Sequence, residues 1–66
     1  MENIIGNRIR ERRLELGLSQ GQLAKKLGVH HSTVSAWELG VAEPRVFLAV
    51  CLAKALGTTV EELFAP

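Results

Sequence analysis

Residues 19–38 read SQGQLAKKLGVHHSTVSAWE and contain the signals for two short helices and the turn between them. Ser19 and Gln22 have the S-x-x-Q spacing in which each side chain hydrogen-bonds the backbone N–H of the other, so a helix is predicted to begin at Ser19. Gly28 is typical of the residue at which a helix ends. A second helix is predicted to follow His30, so only a three-residue turn separates the two.

One further helix is predicted before this pair. It is expected to run from about Asn3 to Leu16, because Ile5, Ile9 and Leu16 recur on one helical face and Gly17 supplies a C-terminal stop. We expect these three apolar side chains to point towards the core.

Two more helices are predicted after the pair. Helix 4 is expected to run from Pro44 to Leu56, because the fixed φ of proline suits the first residue of a helix. Helix 5 is short and is predicted to begin with a capping box formed by Thr59 and Glu62. No run of β-branched or aromatic residues indicates a strand. The sequence therefore predicts an all-α fold of five helices in a single domain that uses residues 1–66.

Composition excludes several classes of protein. A chain of 66 residues is too short for a two-domain enzyme, and it contains no Asp, no Tyr and no glycine-rich phosphate loop. Cys51 is the only cysteine, so no internal disulfide can form, and a zinc site normally needs four ligands. We therefore expect a protein that is not an enzyme and that binds neither a cofactor nor a metal.

The sequence also lacks the apolar segments that membrane insertion or secretion requires. No run of about 18 apolar residues could span a bilayer. The start of the chain lacks the basic flank and the apolar stretch of a signal peptide. These features predict a cytoplasmic protein without a membrane segment.

Charge is distributed unevenly along the chain. The net charge is only +1, well short of the strongly basic balance of a dedicated nucleic-acid binder. Residues 1–30 nevertheless carry six basic and three acidic side chains, a net +3, whereas residues 31–66 carry two basic and four acidic ones, a net −2. The average therefore conceals a basic first half.

An ordered set of motifs between Ile9 and Phe64 resembles the lambda-repressor-like helix-turn-helix family of DNA-binding domains (Cro, phage-repressor and xenobiotic-response-element type). The motifs are S-Q-x-x-L-A-x-x-L-G-V, T-V-S-x-W-E-x-G, a proline four residues after Gly40, and L-A-x-A-L-G. The resemblance implies a five-helix domain with its helix-turn-helix at helices 2 and 3, about residues 19–39. It also implies a domain that is usually dimeric on double-stranded DNA, with the third helix in the major groove.

Helical geometry indicates which side chains of helix 3 would face the bases. Val34 and Trp37 are expected to close the core, although an aromatic side chain could instead stack on a base as in single-strand binders. The opposite face then presents five side chains at i, i+4 spacing, His31, Ser32, Ser35, Ala36 and Leu39. Histidine and serine can hydrogen-bond base edges, and Ala36 could touch a thymine methyl group.

Phosphate contacts are expected on either side of this helix. Gln20 matches the glutamine that in the family lies against the phosphate backbone, and the exposed N–H groups of the first turn of helix 2 favour an anion. Arg45, just after Pro44, is a further candidate. More peripheral candidates are Arg8, Arg10, Arg12 and Lys25.

Arg13 and Glu38 are expected to form a structural ion pair. Arg13 follows Ile9 by four residues on the inward face of helix 1, where an arginine needs a partner. Glu38 could supply it, and the family resemblance pairs these two positions; a phosphate contact from Arg13 is the alternative. His30 stands at an N-cap where the family often has serine, and is expected to weaken the cap unless its ring finds a backbone N–H.

Helix 4 is apolar all round from Val46 to Ala53, so we expect it to be covered on more than one side. The simplest cover is a second copy of the chain, with ordinary core burial or a different protein partner as alternatives. The candidate residues of a dimer interface are Phe47, Val50, Cys51 and Phe64. The loop 39–43 has no lysine or arginine, which favours weak affinity for DNA.

Three hypotheses about function follow. The first is a sequence-specific DNA-binding transcriptional regulator that recognises a palindromic operator as a homodimer. The second is a protein-interaction module, such as an antitoxin-like subunit that binds its partner through helix 4. The third is the DNA-binding part of a longer, ligand-sensing regulator.

Overall fold

A computed structural model of the protein describes residues 3–66, so Glu2, which contributes to the charge of the first half, lies outside the described residues. Within this range the chain forms five α-helices and no strand, which confirms the predicted all-α fold. The helices are α1 (Ile4–Glu15), α2 (Gln20–Leu27), α3 (His31–Leu39), α4 (Val46–Ala55) and α5 (Val60–Phe64). None of these helices is long and apolar enough to cross a membrane.

The ends of α2 follow the local signals in the sequence. Ser19 Oγ accepts a hydrogen bond from the backbone N–H of Gln22 at 3.0 Å, and Gln22 Oε1 accepts one from the backbone N–H of Ser19 at 2.8 Å. Gly28 ends the helix with a left-handed backbone (φ 70°), a conformation that residues with a Cβ rarely adopt. Capping residues therefore set both ends of α2.

The starts of α4 and α5 differ from the prediction. Pro44 does not begin α4: Arg45 is still extended, with ψ 163°, and acts as the N-cap, so the helix starts at Val46. At α5, Thr59 Oγ1 accepts from the backbone N–H of Glu62 at 3.0 Å, which is one half of a capping box. The carboxylate of Glu62 instead accepts a hydrogen bond from Thr58 Oγ1 at 2.7 Å.

The core draws side chains from all five helices. Its members are Ile9, Leu23, Ala24, Val34, Trp37, Leu52, Ala53, Leu56 and Leu63. Trp37 is almost fully buried, so the indole is part of the core. The prediction that Leu16 is a core residue is wrong, because it lies beyond the last turn of α1, where the chain reverses at Gly17, and 45% of its surface is exposed.

The first turn of α1 packs closely against the end of α3. Gly6 is buried, and a Cβ at this position would overlap the carbonyl oxygen of Glu38 and the side chain of Asn3. Asn3 Oδ1 accepts a hydrogen bond from the backbone N–H of Gly6 at 3.1 Å. Gly6 therefore allows α1 to approach α3 at this point, a requirement that no local signal in the sequence indicates.

We expect Gly6→Ala to lower the free energy of unfolding by about 1–3 kcal/mol, because the added methyl group overpacks the contact between α1 and α3. Gly21→Ala is the matched control. Gly21 is exposed in α2, and a Cβ there meets nothing closer than Ser19 Oγ at 3.9 Å. It should raise stability by about 0.5–1 kcal/mol through helix propensity. Urea denaturation measures both, and equal effects of the same sign would contradict the close-approach assignment.

Candidate nucleic-acid interface

A buried ion pair joins α1 to α3. Arg13 Nε donates to Glu38 Oε2 at 2.7 Å and Arg13 Nη2 donates to Glu38 Oε1 at 3.0 Å, a two-point contact. Only 8% of the surface of Arg13 and 5% of that of Glu38 are exposed. The hydrogen bonds to Glu38 raise the pKa of Arg13 above its ordinary value, despite an opposing effect of burial. The ion pair therefore favours the charged form of Arg13.

The pair makes further hydrogen bonds to the starts of α2 and α1. Arg13 Nη1 donates to the carbonyl oxygen of Leu18 at 2.7 Å, one residue before the N-cap of the helix. Gln20 Nε2 donates to Glu38 Oε1 at 3.2 Å. Asn3 Nδ2 donates to the backbone carbonyl of Glu38 at 2.6 Å. We call Arg13, Glu38 and Gln20 the polar anchor, because together they connect α1, α2 and α3.

The first turn of α3 is exposed and is organised by two histidines. His30 is the N-cap, and its Nδ1 accepts a hydrogen bond from the backbone N–H of Ser32 at 3.2 Å. The ring therefore makes the hydrogen bond that a capping side chain normally makes to a backbone N–H of the first turn. The ring centroids of His30 and His31 lie 4.3 Å apart.

The proposed base-reading residues lie along one side of α3 but differ in accessibility. His31 and Ser32 are exposed in the first turn, whereas Ser35 and Ala36 are half-buried one turn later. Among residues 3–66 no group of three or more histidine, cysteine or acidic side chains could hold a metal. The arrangement is suited to hydrogen bonding with an external partner.

Arginines of α1 bind the C-terminal ends of other helices, which the sequence reasoning did not foresee. Arg12 Nε donates to the carbonyl of Leu56 at 2.9 Å, and its Nη2 to that of Gly57 at 3.3 Å, at the end of α4. Arg8 Nη1 donates to the carbonyl of Ala65 at 2.6 Å, just after α5. A cation is favourable at a helix C-terminus. Much of the basic charge of α1 therefore stabilises the fold.

Other phosphate candidates are more accessible. Lys25 is exposed in the last turn of α2, and Arg45 is exposed at the N-cap of α4. No ion pair involves either side chain within residues 3–66. The sequence-predicted set thus divides into three groups. Lys25, Arg45 and Arg10 are exposed. Gln20 belongs to the polar anchor, and Arg8 and Arg12 bind carbonyls at the ends of α5 and α4.

Helix α4 leaves part of its apolar surface uncovered. Ala49, Leu52 and Ala53 are buried, but Val46 and Phe47 are 82% and 77% exposed. Val50 is also exposed and shares their side of the helix. We call Val46, Phe47 and Val50 the α4 apolar face. The other two interface candidates, Cys51 and Phe64, are half-buried, and Phe64 packs against the core.

A short helix, a three-residue turn and a second helix with an exposed first turn define a helix-turn-helix domain. A family model described as helix-turn-helix matches residues 9–63. The chain belongs to this family and has the fold of the DNA-binding domains of its transcriptional regulators. The predicted resemblance to lambda-repressor-like domains is thereby confirmed.

Relatives and solved structures agree with this assignment. The chain is 46% identical over 57 residues to an uncharacterized HTH-type transcriptional regulator of Methanothermobacter thermautotrophicus, covering 85% of this chain and 83% of that protein. It superimposes on the P22 c2 repressor in complex with a synthetic operator with a TM-score of 0.92, 35% identity and 94% of each chain covered. SinR in complex with DNA matches with a TM-score of 0.82 and 33% identity, covering 89% of this chain and 95% of that one.

Removing the negative partner of the ion pair should be costly. Glu38→Gln leaves the buried guanidinium of Arg13 uncompensated and should lower the free energy of unfolding by about 3–5 kcal/mol. A domain of this size has only about 3–10 kcal/mol in total, so this loss is a large share of its stability. Chemical denaturation followed by circular dichroism measures the change.

The exposed ion pair between Arg12 and Glu15, 3.4 Å apart, supplies the control. Glu15→Gln makes the same chemical change at the surface and should cost less than about 1 kcal/mol. Similar losses in Glu38→Gln and Glu15→Gln would show that burial of the Arg13 pair is not what makes it costly to break.

Proposed function

We propose that this chain is a sequence-specific transcriptional regulator that binds double-stranded DNA with α3 in the major groove. The observation that carries the proposal is the exposed first turn of α3, with His31 and Ser32, on a helix-turn-helix that the polar anchor connects to α1. Similar domains are known in complex with DNA, the P22 c2 repressor and SinR among them.

Phosphate contacts would hold the domain against the backbone of the duplex. Gln20 would use the part of its amide that Glu38 leaves free, together with the N–H groups of the first turn of α2. Arg45 and Lys25 would add charge-assisted contacts from the ends of α4 and α2. Arg12 would reach a phosphate only by leaving the carbonyls at the end of α4, so we assign it a peripheral role.

Base contacts would come mainly from the first turn of α3. His31 and Ser32 are exposed enough to reach base edges without rearrangement. Ser35 and Ala36 are half-buried, so they would contact bases only where the helix lies deep in the groove, with Ala36 against a thymine methyl group. The number of base pairs that one domain can read is therefore small.

A homodimer would double the number of base pairs and cover the α4 apolar face. In a two-fold dimer the same surface meets itself, so one apolar face is sufficient. Such a dimer would read a palindromic operator with recognition helices about 34 Å apart. The exposure of Phe47 and Val50 supports their assignment to the interface, with Cys51 and Phe64 at its margin.

A second candidate function is protein binding through the same face. A different protein could also bury the exposed phenylalanine and the two valines beside it. The chain would then act as a protein-binding subunit, similar to an antitoxin. SinR, one of the similar structures, is known in complex with the protein SinI. In a longer regulator the face could also contact a ligand-sensing domain. The oligomeric state of the isolated chain discriminates between these functions.

Selection from random-sequence DNA at a stated salt concentration tests DNA recognition. We expect enrichment of an inverted repeat. Gln20→Ala should weaken all sites alike, and Arg45→Ala should also reduce the slope of log affinity against log salt by about 1. Ser32→Ala or His31→Ala should change base preference at one position per half-site. Lys54→Ala, which removes an exposed charge at the end of α4, is the control and should change neither property.

Absence of any enriched sequence, with binding lost uniformly above low salt, would contradict sequence-specific recognition. Enrichment of a repeat whose base preferences survive both substitutions in the first turn of α3 would contradict the recognition face instead.

Sedimentation velocity tests the dimer. The wild-type chain should sediment as a dimer, and Phe47→Glu should sediment as a monomer, because a charge at the centre of the α4 apolar face would be desolvated on association. Leu14→Glu is the control, since Leu14 is another exposed apolar residue but lies on α1. If Phe47→Glu still sedimented as a dimer, α4 would not be part of the interface.

A further inference from the structure

His30 interacts with Ser32 through more than the backbone. Its Nδ1 accepts the backbone N–H of Ser32 at 3.2 Å and also lies 2.8 Å from Ser32 Oγ. A backbone N–H can only donate, so Nδ1 is an acceptor here, and its one lone pair faces both the backbone N–H and the hydroxyl of Ser32. The hydroxyl of Ser32 is then the donor in the second contact, and its proton points towards His30.

This hydrogen bond limits what Ser32 can offer to an external partner. A free serine hydroxyl both donates and accepts, so it can pair with any base edge. With its proton directed to His30, the Ser32 oxygen presents only lone pairs. The complementary groups in the major groove are the amino groups of adenine and cytosine, whereas guanine and thymine present acceptors there.

The ring of His30 also packs against the ring of His31. The two ring centroids are 4.3 Å apart with an interplanar angle of 35°, and both residues are exposed. Contact between the rings restricts the rotamers of His31 before any partner arrives, which lowers the entropic cost of a later contact. His30 thus faces both side chains that the first turn of α3 would present to DNA.

We propose that His30 is a positioning residue for base specificity: by accepting the hydroxyl proton of Ser32, it makes Ser32 select adenine or cytosine on the strand that it faces. The inference rests on the proposed function and assigns to His30 a role beyond that of a helix cap. The relevant comparison is between substitutions that keep an acceptor at residue 30 and substitutions that remove it.

Four chains are compared by selection from random-sequence DNA: the wild type, Ser32→Ala, His30→Ala and His30→Asn. The base pair read by Ser32 is the position at which Ser32→Ala loses preference. There the wild type should favour adenine or cytosine by about fivefold to tenfold, the value of one hydrogen bond. His30→Ala should reduce this ratio to less than about twofold. His30→Asn should retain it, because asparagine caps helices well and its Oδ1 can accept the same proton.

Loss of the cap alone is separated from loss of positioning by two controls. Thr59→Ala removes the cap of α5, away from the recognition helix, and should lower stability without changing base preference. The double variant His30→Ala/Ser32→Ala should match Ser32→Ala at the position concerned, because His30 acts there only through Ser32.

Several outcomes would overturn the inference: a wild-type preference for guanine or thymine at that position, an unchanged preference in His30→Ala, a lost preference in His30→Asn, or no effect of Ser32→Ala. Each of these presupposes that the wild type selects a defined sequence. A wild type that selects no sequence would contradict the proposed function itself. The four outcomes above would overturn only the inference about His30, so the two failures are distinguishable.

Discussion

Arg13 and Glu38 bury opposite charges between α1 and α3, and their remaining hydrogen bonds extend to Leu18 and Gln20 at the start of α2. Burying an ion pair is expensive, and apolar residues of similar volume often give equal or greater stability. Stability alone therefore does not account for this choice of residues. What a bidentate contact with two further hydrogen bonds does supply is a defined geometry between three helices.

That geometry connects the fold to the proposed DNA contacts. Gln20 hydrogen-bonds Glu38 from the first turn of α2, where the free N–H groups favour a phosphate. Glu38 lies on α3, the helix that carries His31 and Ser32. In the proposed function, the phosphate contact of Gln20 and the base contacts of α3 would therefore both depend on the carboxylate of Glu38. Because Arg8 and Arg12 bind carbonyls at the ends of other helices, the proposed DNA contacts would depend more on this alignment than on the charge of these two arginines.

Helix existence and most helix ends could be predicted because their causes are local. The Ser19–Gln22 capping box and the glycines lie within a few residues of what they control. Two local predictions were wrong. Leu16 was expected in the core by its helical spacing but is exposed beyond the end of α1, and Pro44 was expected to begin α4, which instead starts at Val46.

The arginine contacts at helix ends, 44–57 residues distant in sequence, depend on packing and could not be predicted from local patterns. For the candidate site, helical spacing was sufficient to nominate His31 and Ser32. The hydrogen bond that directs the Ser32 hydroxyl towards His30 required the structure.

The apolar double variant Arg13→Met/Glu38→Leu tests most directly whether the polar anchor acts through geometry. Its unfolding free energy and its affinity for the selected operator are measured together. We expect stability within about 2 kcal/mol of the wild type but affinity lower by about tenfold or more for every sequence, since Gln20 loses its acceptor. Wild-type affinity in a folded double variant would contradict the account.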